Sequence, residues 1–355
     1  MHKFKFISNS FILLSAAISC LSFADEQEGE TVAVFVTAEP IQESLDFALY
    51  YPGGEANMGR TGRVLMSLMI DEDGKAFSPL VLISTNPRFN KAAKKSVTKA
   101  QFTPATLNGK PIVSAINFLA VFELDIASLF YRKSNKRYHQ HLEKFNTEMA
   151  SQNPDEKKLR KLLKRMEGTT HGNNFIQRVI SRARYDLAEL YGSDQEKIDA
   201  LRELLLSSTY GMSLIKGMPA YFELIKLLVN SGHYGEALRT YDEALSFFNA
   251  RYQQALRDSF GDAMQEILDI RDSDQAYARN IELNKDGFTY IPLFKNRFTF
   301  TDVAGELKKL NFRCDKKYQE LPYVVDSDYE VPKSWGSCLL EVRGSKGSKA
   351  TLIQQ

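Results

Sequence analysis

The sequence predicts a multidomain chain: a small α+β domain with an antiparallel sheet, an all-helical middle, and a small β-rich module tied by a disulfide. Three observations predict it. Length comes first, since 355 residues exceed one ordinary domain. Second, the apolar period changes twice, from alternating runs to helical spacing near residue 129 and back to alternation after Asp286-Gly287. Third, once an N-terminal export segment is set aside, two cysteines remain, Cys314 and Cys338. The expected divisions are a signal peptide at 1–24, an α+β domain at 25–128, helices at 129–286 and the β-rich module at 287–355.

Residues 1–24 carry Lys3 and Lys5, an apolar run from Phe11 to about Ala17, and the small residues Ser22 and Ala24 around Phe23. That is the layout of a cleavable secretory signal, and the apolar run is too short to cross a bilayer, which takes about 20 residues. Cleavage before Asp25, and hence a periplasmic location, is the expectation. Lipidation at Cys20 is the weaker alternative, because the usual bulky Leu is missing upstream. Lys plus Arg number 46 and Asp plus Glu 44, and the surplus is Lys3 and Lys5. The mature chain therefore has no net charge, which argues against general nucleic-acid binding. An even cysteine pair in an exported protein is most simply a disulfide. In the chain-entropy model a loop of about 25 residues closed in this way is worth roughly 3.5 kcal/mol.

Gly62 to Ile70 reads as a strand, with Val64, Met66 and Leu68 on one face. Asp71 to Gly74 is a hairpin turn, because Gly supplies positive φ and Asp tolerates it. A second strand spans Ala76 to Ser84, and a basic helix follows from Arg88 to Ala100. A turn at Asn108-Gly109 then leads into a long apolar strand from Ile112 to Leu124. Taken together, Tyr51-Pro52, Gly62-Arg63-Val64, the Asp71–Gly74 turn, Val81-Leu82-Ile83-Ser84, Phe89 with Ala92-Ala93, Phe102-Thr103-Pro104-Ala105, Asn108-Gly109-Lys110-Pro111 and Phe122-Glu123-Leu124 resemble the C-terminal domain of TonB-family proteins. The resemblance covers about a fifth of the chain. It implies an extended peptide accepted beside the last strand, where main-chain bonds give affinity. Segments of TonB-dependent outer-membrane transporters would be natural ligands. The long Pro-rich spacer of an energy transducer is missing, so the binding fold carries over and the motor does not.

The candidate peptide-binding edge is the strand from Ile112, with Val113, Ala115, Asn117, Leu119 and Val121 alternating with Ile116, Phe118, Ala120 and Phe122. An unprotected edge of this kind is an aggregation risk unless covered or used. Residues 25–48 of the same chain, or a second copy in a homodimer, are the competing occupants.

Residues 131–166 hold 11 Lys or Arg against 4 Asp or Glu at helical spacing, which reads as a solvated helix face rather than a lipid-binding one. Gly232, Tyr234, Glu236-Ala237-Leu238, Tyr241 and Ala244-Leu245, with Tyr221, Leu224 and Leu228 before them, resemble a tetratricopeptide repeat. A weaker unit includes Leu187-Ala188, Tyr191, Ala200 and Leu201, and flanking helices at about 132–166 and 250–280 would cap the pair. In the last module, strands are expected at Phe288–Leu293, Phe298–Phe300, Tyr323–Val325 and Cys338–Val342, while 303–313 fits helix or strand. Trp335 reads as a cover over the disulfide.

No nucleophile elbow, phosphate loop, zinc motif or calcium loop is present, and His139, His141, His171 and His233 lack ligand spacing. No metal, cofactor or catalytic residue is expected. The function expected is non-catalytic protein–protein interaction. The alternatives are an envelope scaffold acting through the helices, and a glycan binder or enzyme built around Trp335.

Overall fold

The computed structural model describes residues 34–41, 44–45, 50–58, 60–123, 127–169, 174–208 and 214–355. The expected signal segment, with Cys20 and Ser22 to Ala24, lies outside them, as do Leu124 and His171.

The first module contains β1 (Phe35–Val36), β2 (Glu39–Pro40), α1 (Gly53–Asn57), β3 (Gly62–Ile70), β4 (Ala76–Ser84), α2 (Asn90–Val97), β5 (Phe102–Thr103), β6 (Ala105–Leu107), β7 (Lys110–Ile112) and β8 (Ser114–Phe122). The main sheet is antiparallel, in the order β4-β3-β8. Gly74 closes the β3–β4 turn at φ +77°, and a Cβ there would lie 1.9 Å from the carbonyl oxygen of Phe102, so only glycine fits. Val64, Met66, Leu68 and Ile70 are fully buried against Phe118, Ala120, Phe122 and the helical Phe89, Ala93 and Val97. Each such side chain contributes about 1.5–3 kcal/mol.

The last strand is shorter than the sequence predicts. Lys110–Ile112 instead pairs with β6 across the Asn108-Gly109 turn, whose residues stand at φ +53° and +76°. The chain then leaves that small sheet at Val113 to join β3, so no single strand can span both. The described part of 25–48 is also placed. Phe35–Val36 pairs with β6 and Glu39–Pro40 with β5, so these residues do not occupy the β8 edge.

The middle is helical: α3 (Ala127–Met149), α4 (Glu156–Thr169), α5 (Asn174–Tyr191), α6 (Asp194–Ser208), α7 (Leu214–Asn230), α8 (Tyr234–Phe247) and α9 (Ala250–Asp272). Tyr138, Phe145, Leu159, Leu162 and Met166 fill one core with Ile176 and Ile180. Tyr221, Leu224, Leu228, Ala237, Tyr241 and Ala244 fill a second.

The last module is a two-sheet sandwich of β9 (Tyr277–Glu282), β10 (Phe288–Pro292), β11 (Arg297–Ala304), β12 (Leu307–Cys314), β13 (Lys317–Pro322), β14 (Tyr329–Glu330), β15 (Cys338–Gly344) and β16 (Lys349–Gln354). Its sheets run β10-β15-β12-β13 and β14-β11-β16-β9 around Phe298, Phe300, Phe312, Leu340 and Leu352. Three sequence expectations change here. The module begins at Tyr277 rather than 287, because polar β9 gains its partner, β16, from the chain end. Residues 307–314 are strand: a register shift between Leu307 and Lys309 inserts one residue, so Leu307 and Leu310 are both buried at a spacing that mimics a helix. Tyr323–Val325 is not a strand; β13 stops at Pro322 and the chain bends at Asp326, φ +54°. Cys314 and Cys338 stand directly opposite each other on β12 and β15 and form the disulfide. Trp335 meets Phe312 edge-on at 6.4 Å.

Candidate functional site: the sheet end and the three-module junction

Alternation on β3 and β8 sends the even-numbered side chains into the first core. The odd-numbered ones, Arg63, Leu65, Ser67 and Met69 on β3, lie opposite Val121, Leu119, Asn117 and Ala115 on β8. This second face is where the other modules dock. The Arg313 side chain of β12 has no solvent exposure. Its Nε donates to Ser67 Oγ at 3.1 Å and its Nη1 to Ser78 Oγ at 3.0 Å. Its Nη2 donates to Ser67 O at 2.8 Å and to Ser78 O at 2.5 Å. The β3–β4 ladder slips by one residue here, with Ser78 at φ +46°, and the slip turns the Ser78 carbonyl towards the guanidinium. Glu341, also buried, stands 3.5 Å from Arg313 Nη1. Nearby, the Phe77 and Tyr318 rings meet at 5.2 Å. Arg63 Nη1 donates to the carbonyls of Leu206 and Ser207 at the end of α6, at 3.2 and 3.1 Å.

The last module approaches both ends of the sheet, and its β12 and β13 lie beside β8. At the β4 end, Tyr290 donates its hydroxyl to Leu82 O at 2.7 Å, so the last module reaches that strand directly. The β8 end exposes Asn117, with Val113, Ala115, Leu119 and Val121 half-buried beside it. All five predicted edge residues fall on or immediately before one strand, and four of them share its second face.

A cleft of about 990 Å³ opens where β4, α6, the start of α8, β9, β10 and β16 meet. Its floor carries Arg202, His233, Glu236 and Arg279. Glu236 is buried and pairs with Arg202, and with Arg279 at 3.4 Å. Burial acts to raise the Glu236 pKa, but the arginines outweigh it and hold the carboxyl at about 2. Burial, then Arg279, push His233 down to about 4 against the opposing pull of Glu236. This group joins residues 202, 236 and 279, of which only Glu236 was named from the sequence, as part of the repeat motif, and with them His233, named there only as lacking ligand spacing. Pro79 inside a strand was the local signal for the Ser78 bulge.

Among the described residues no three His, Cys, Asp or Glu side chains could hold a metal ion, and no helix is long and apolar enough to cross a membrane. Fold and junction define a three-module chain whose first sheet has companion modules packed on its second face. Residues 48–124 match the family described as Gram-negative bacterial TonB protein C-terminal, the stretch that ends with β8. No curated protein and no solved structure gives a match. The first module is thus similar to the TonB C-terminal domain.

Proposed function

We propose that this chain is a non-catalytic periplasmic interaction protein whose TonB-like domain accepts an extended peptide by strand addition at β8. The observation that carries the reading is the position of β8: it ends the family-matched sheet at the end opposite the Tyr290–Leu82 contact. Main-chain pairing would supply affinity, and side chains beside Asn117 selectivity. Segments of TonB-dependent outer-membrane transporters or of envelope assembly factors fit this chemistry, and a second copy pairing through β8 would use the same edge. The hairpins α5–α6 and α7–α8 keep their tetratricopeptide-like reading, with small buried Ala237 and Ala244 allowing close helix approach.

A second reading has its own support. Arg313 and Arg63 tie the TonB-like sheet to both companion modules, as a structural platform would be tied. The chain would then be a scaffold that binds through its helices. The glycan reading is weakened by Trp335, which is half-buried against Phe312. The test is a photo-crosslinking residue at Asn117 in cells, with exposed Leu190 on α5 as the helical counterpart. Strand addition predicts adducts from position 117 to an extended segment of an envelope protein. Adducts from 190 alone would favour the scaffold.

A further inference from the structure

The α3–α4 hairpin carries a strongly one-sided charge. On α4 the apolar positions Leu159, Leu162, Leu163 and Met166 are buried, and the exposed positions are Lys157, Lys158, Arg160, Lys161, Lys164, Arg165 and Gly168. Apart from the glycine, every one is a cation. Lys157, Lys161 and Lys164 recur at i, i+4 and i+7 and so form one stripe. The facing helix α3 adds exposed Lys136, Arg137 and Lys144. Arg137 and Lys144 from α3 and Arg165 from α4 act on one imidazole, that of His141, so the two sets share a side of the hairpin.

The acids of the hairpin do not neutralise this face. Glu148 is engaged by Lys158 and by the backbone N–H of Asp155. Asp155 caps the start of α4 by accepting from Lys158 N at 3.0 Å, and Glu156 pairs with Arg160 at 2.7 Å. Only exposed Glu143 is left near Lys136, Arg137, Lys144, Lys157, Lys161 and Lys164. Among the described residues, six cations of this one helical hairpin have no carboxylate partner, in a mature chain of zero expected net charge.

We propose, against the solvated-face reading that the sequence alone gives, that this face is an electrostatic docking surface for an anionic phospholipid bilayer. Three features select that occupant. The cations are mostly lysines spread along two helices, suited to a field of headgroups rather than to one bidentate ligand. The exposed positions of α4 carry no aromatic on which a base could stack, as a single-stranded nucleic-acid site requires. The exposed side of α4 also has no apolar residue that could insert, so binding would be reversible and salt-sensitive. The envelope reading says only where such a membrane would be met; the surface itself is testable without it.

The experiment is sedimentation of the full chain with vesicles of phosphatidylcholine, alone or with about one-third phosphatidylglycerol. Binding should require phosphatidylglycerol and be lost when salt is raised several-fold. Replacing Lys157, Lys161 and Lys164 by Gln should weaken binding ~100-fold, about 1 kcal/mol for each lysine. Replacing exposed Lys91 and Lys94 of α2 and Lys99 just beyond it removes the same charge elsewhere and should change binding less than threefold. Far-UV circular dichroism establishes that both variants are folded. Equal binding to both vesicle types, an equal loss in the α2 variant, or preference for a single-stranded oligonucleotide over the anionic vesicles would each overturn the proposal. A chain that binds vesicles as expected but yields no crosslink from Asn117 would retain this surface and lose the strand-addition reading.

Discussion

Truncating Arg313 to Ala should uncouple the last module from the TonB-like sheet. The side chain is fully buried and donates to Ser67 and Ser78 through both hydroxyls and both carbonyls, with Glu341 3.5 Å away. Its loss removes the donor to two buried carbonyls and leaves Glu341 with Arg343 and Asn311 as its remaining partners. A charged donor is worth about 1.5–3 kcal/mol per bond, and these bonds are not additive. Removing one member of a buried ion pair costs about 3–5 kcal/mol, which sets the expected scale. Relaxation of Ser78, whose φ of +46° costs about 1–2 kcal/mol, would offset part of that loss. Trp335, the only tryptophan, packs on Phe312 beside Arg313 and reports on the last module alone. In urea, its fluorescence and the helix-dominated far-UV signal should unfold together in the native protein. In Arg313→Ala the Trp335 transition should come about 4 kcal/mol earlier and separate from the helical one. A loss below about 1 kcal/mol, with coincident transitions, would refute the idea that this contact joins the modules.

The cleft floor should be acid-sensitive. The folded pKa values of His233 and Glu236 both lie below their ordinary ones, so both contributions are present at neutral pH and lost on acidification. The His233 contribution should fade from pH 6.5 towards about 4 and the Glu236 contribution from 4.5 towards about 2, the latter on the order of 3 kcal/mol. Urea unfolding at stepped pH should show both stages, with the first missing in His233→Gln. Glu236→Ala leaves Arg202 and Arg279 facing each other without their carboxylate and should lower stability at pH 7 by about 3–5 kcal/mol, measured by the same method. Thiol counting on the denatured, unreduced protein should find Cys314 and Cys338 unavailable. Replacing both by Ala should advance the Trp335 transition by up to roughly 3.5 kcal/mol.

Local chemistry was legible in the sequence. The strand Ala76–Ser84 and the Gly74 turn follow from alternation and from the one residue that tolerates that φ. The TonB-like order of turns and strands was visible because each piece is short and self-contained. The cysteine pair left no other partner. Features set by distant partners were not legible. Arg313 reads as one polar residue of a strand until the sandwich lays it across Ser67 and Ser78, 246 and 235 residues away. The Leu307 bulge disguises a strand as a helix, because periodicity counts residues and a bulge adds one. β9 is too polar to be recognised without β16 beside it. For the candidate edge, the residues and their alternation could be read in advance. The docking of companion modules on their second face, which still leaves Asn117 exposed, could not.

The central claim, strand addition at β8, is tested most directly by amide hydrogen exchange. The measurement compares the free chain with the chain bearing the peptide segment crosslinked at Asn117. Strand pairing predicts slower exchange confined to Ser114–Phe122, with β4 and α5–α8 unchanged, because new main-chain bonds form only along that strand. Unchanged exchange across β8, or protection appearing in α5–α8 instead, would contradict it.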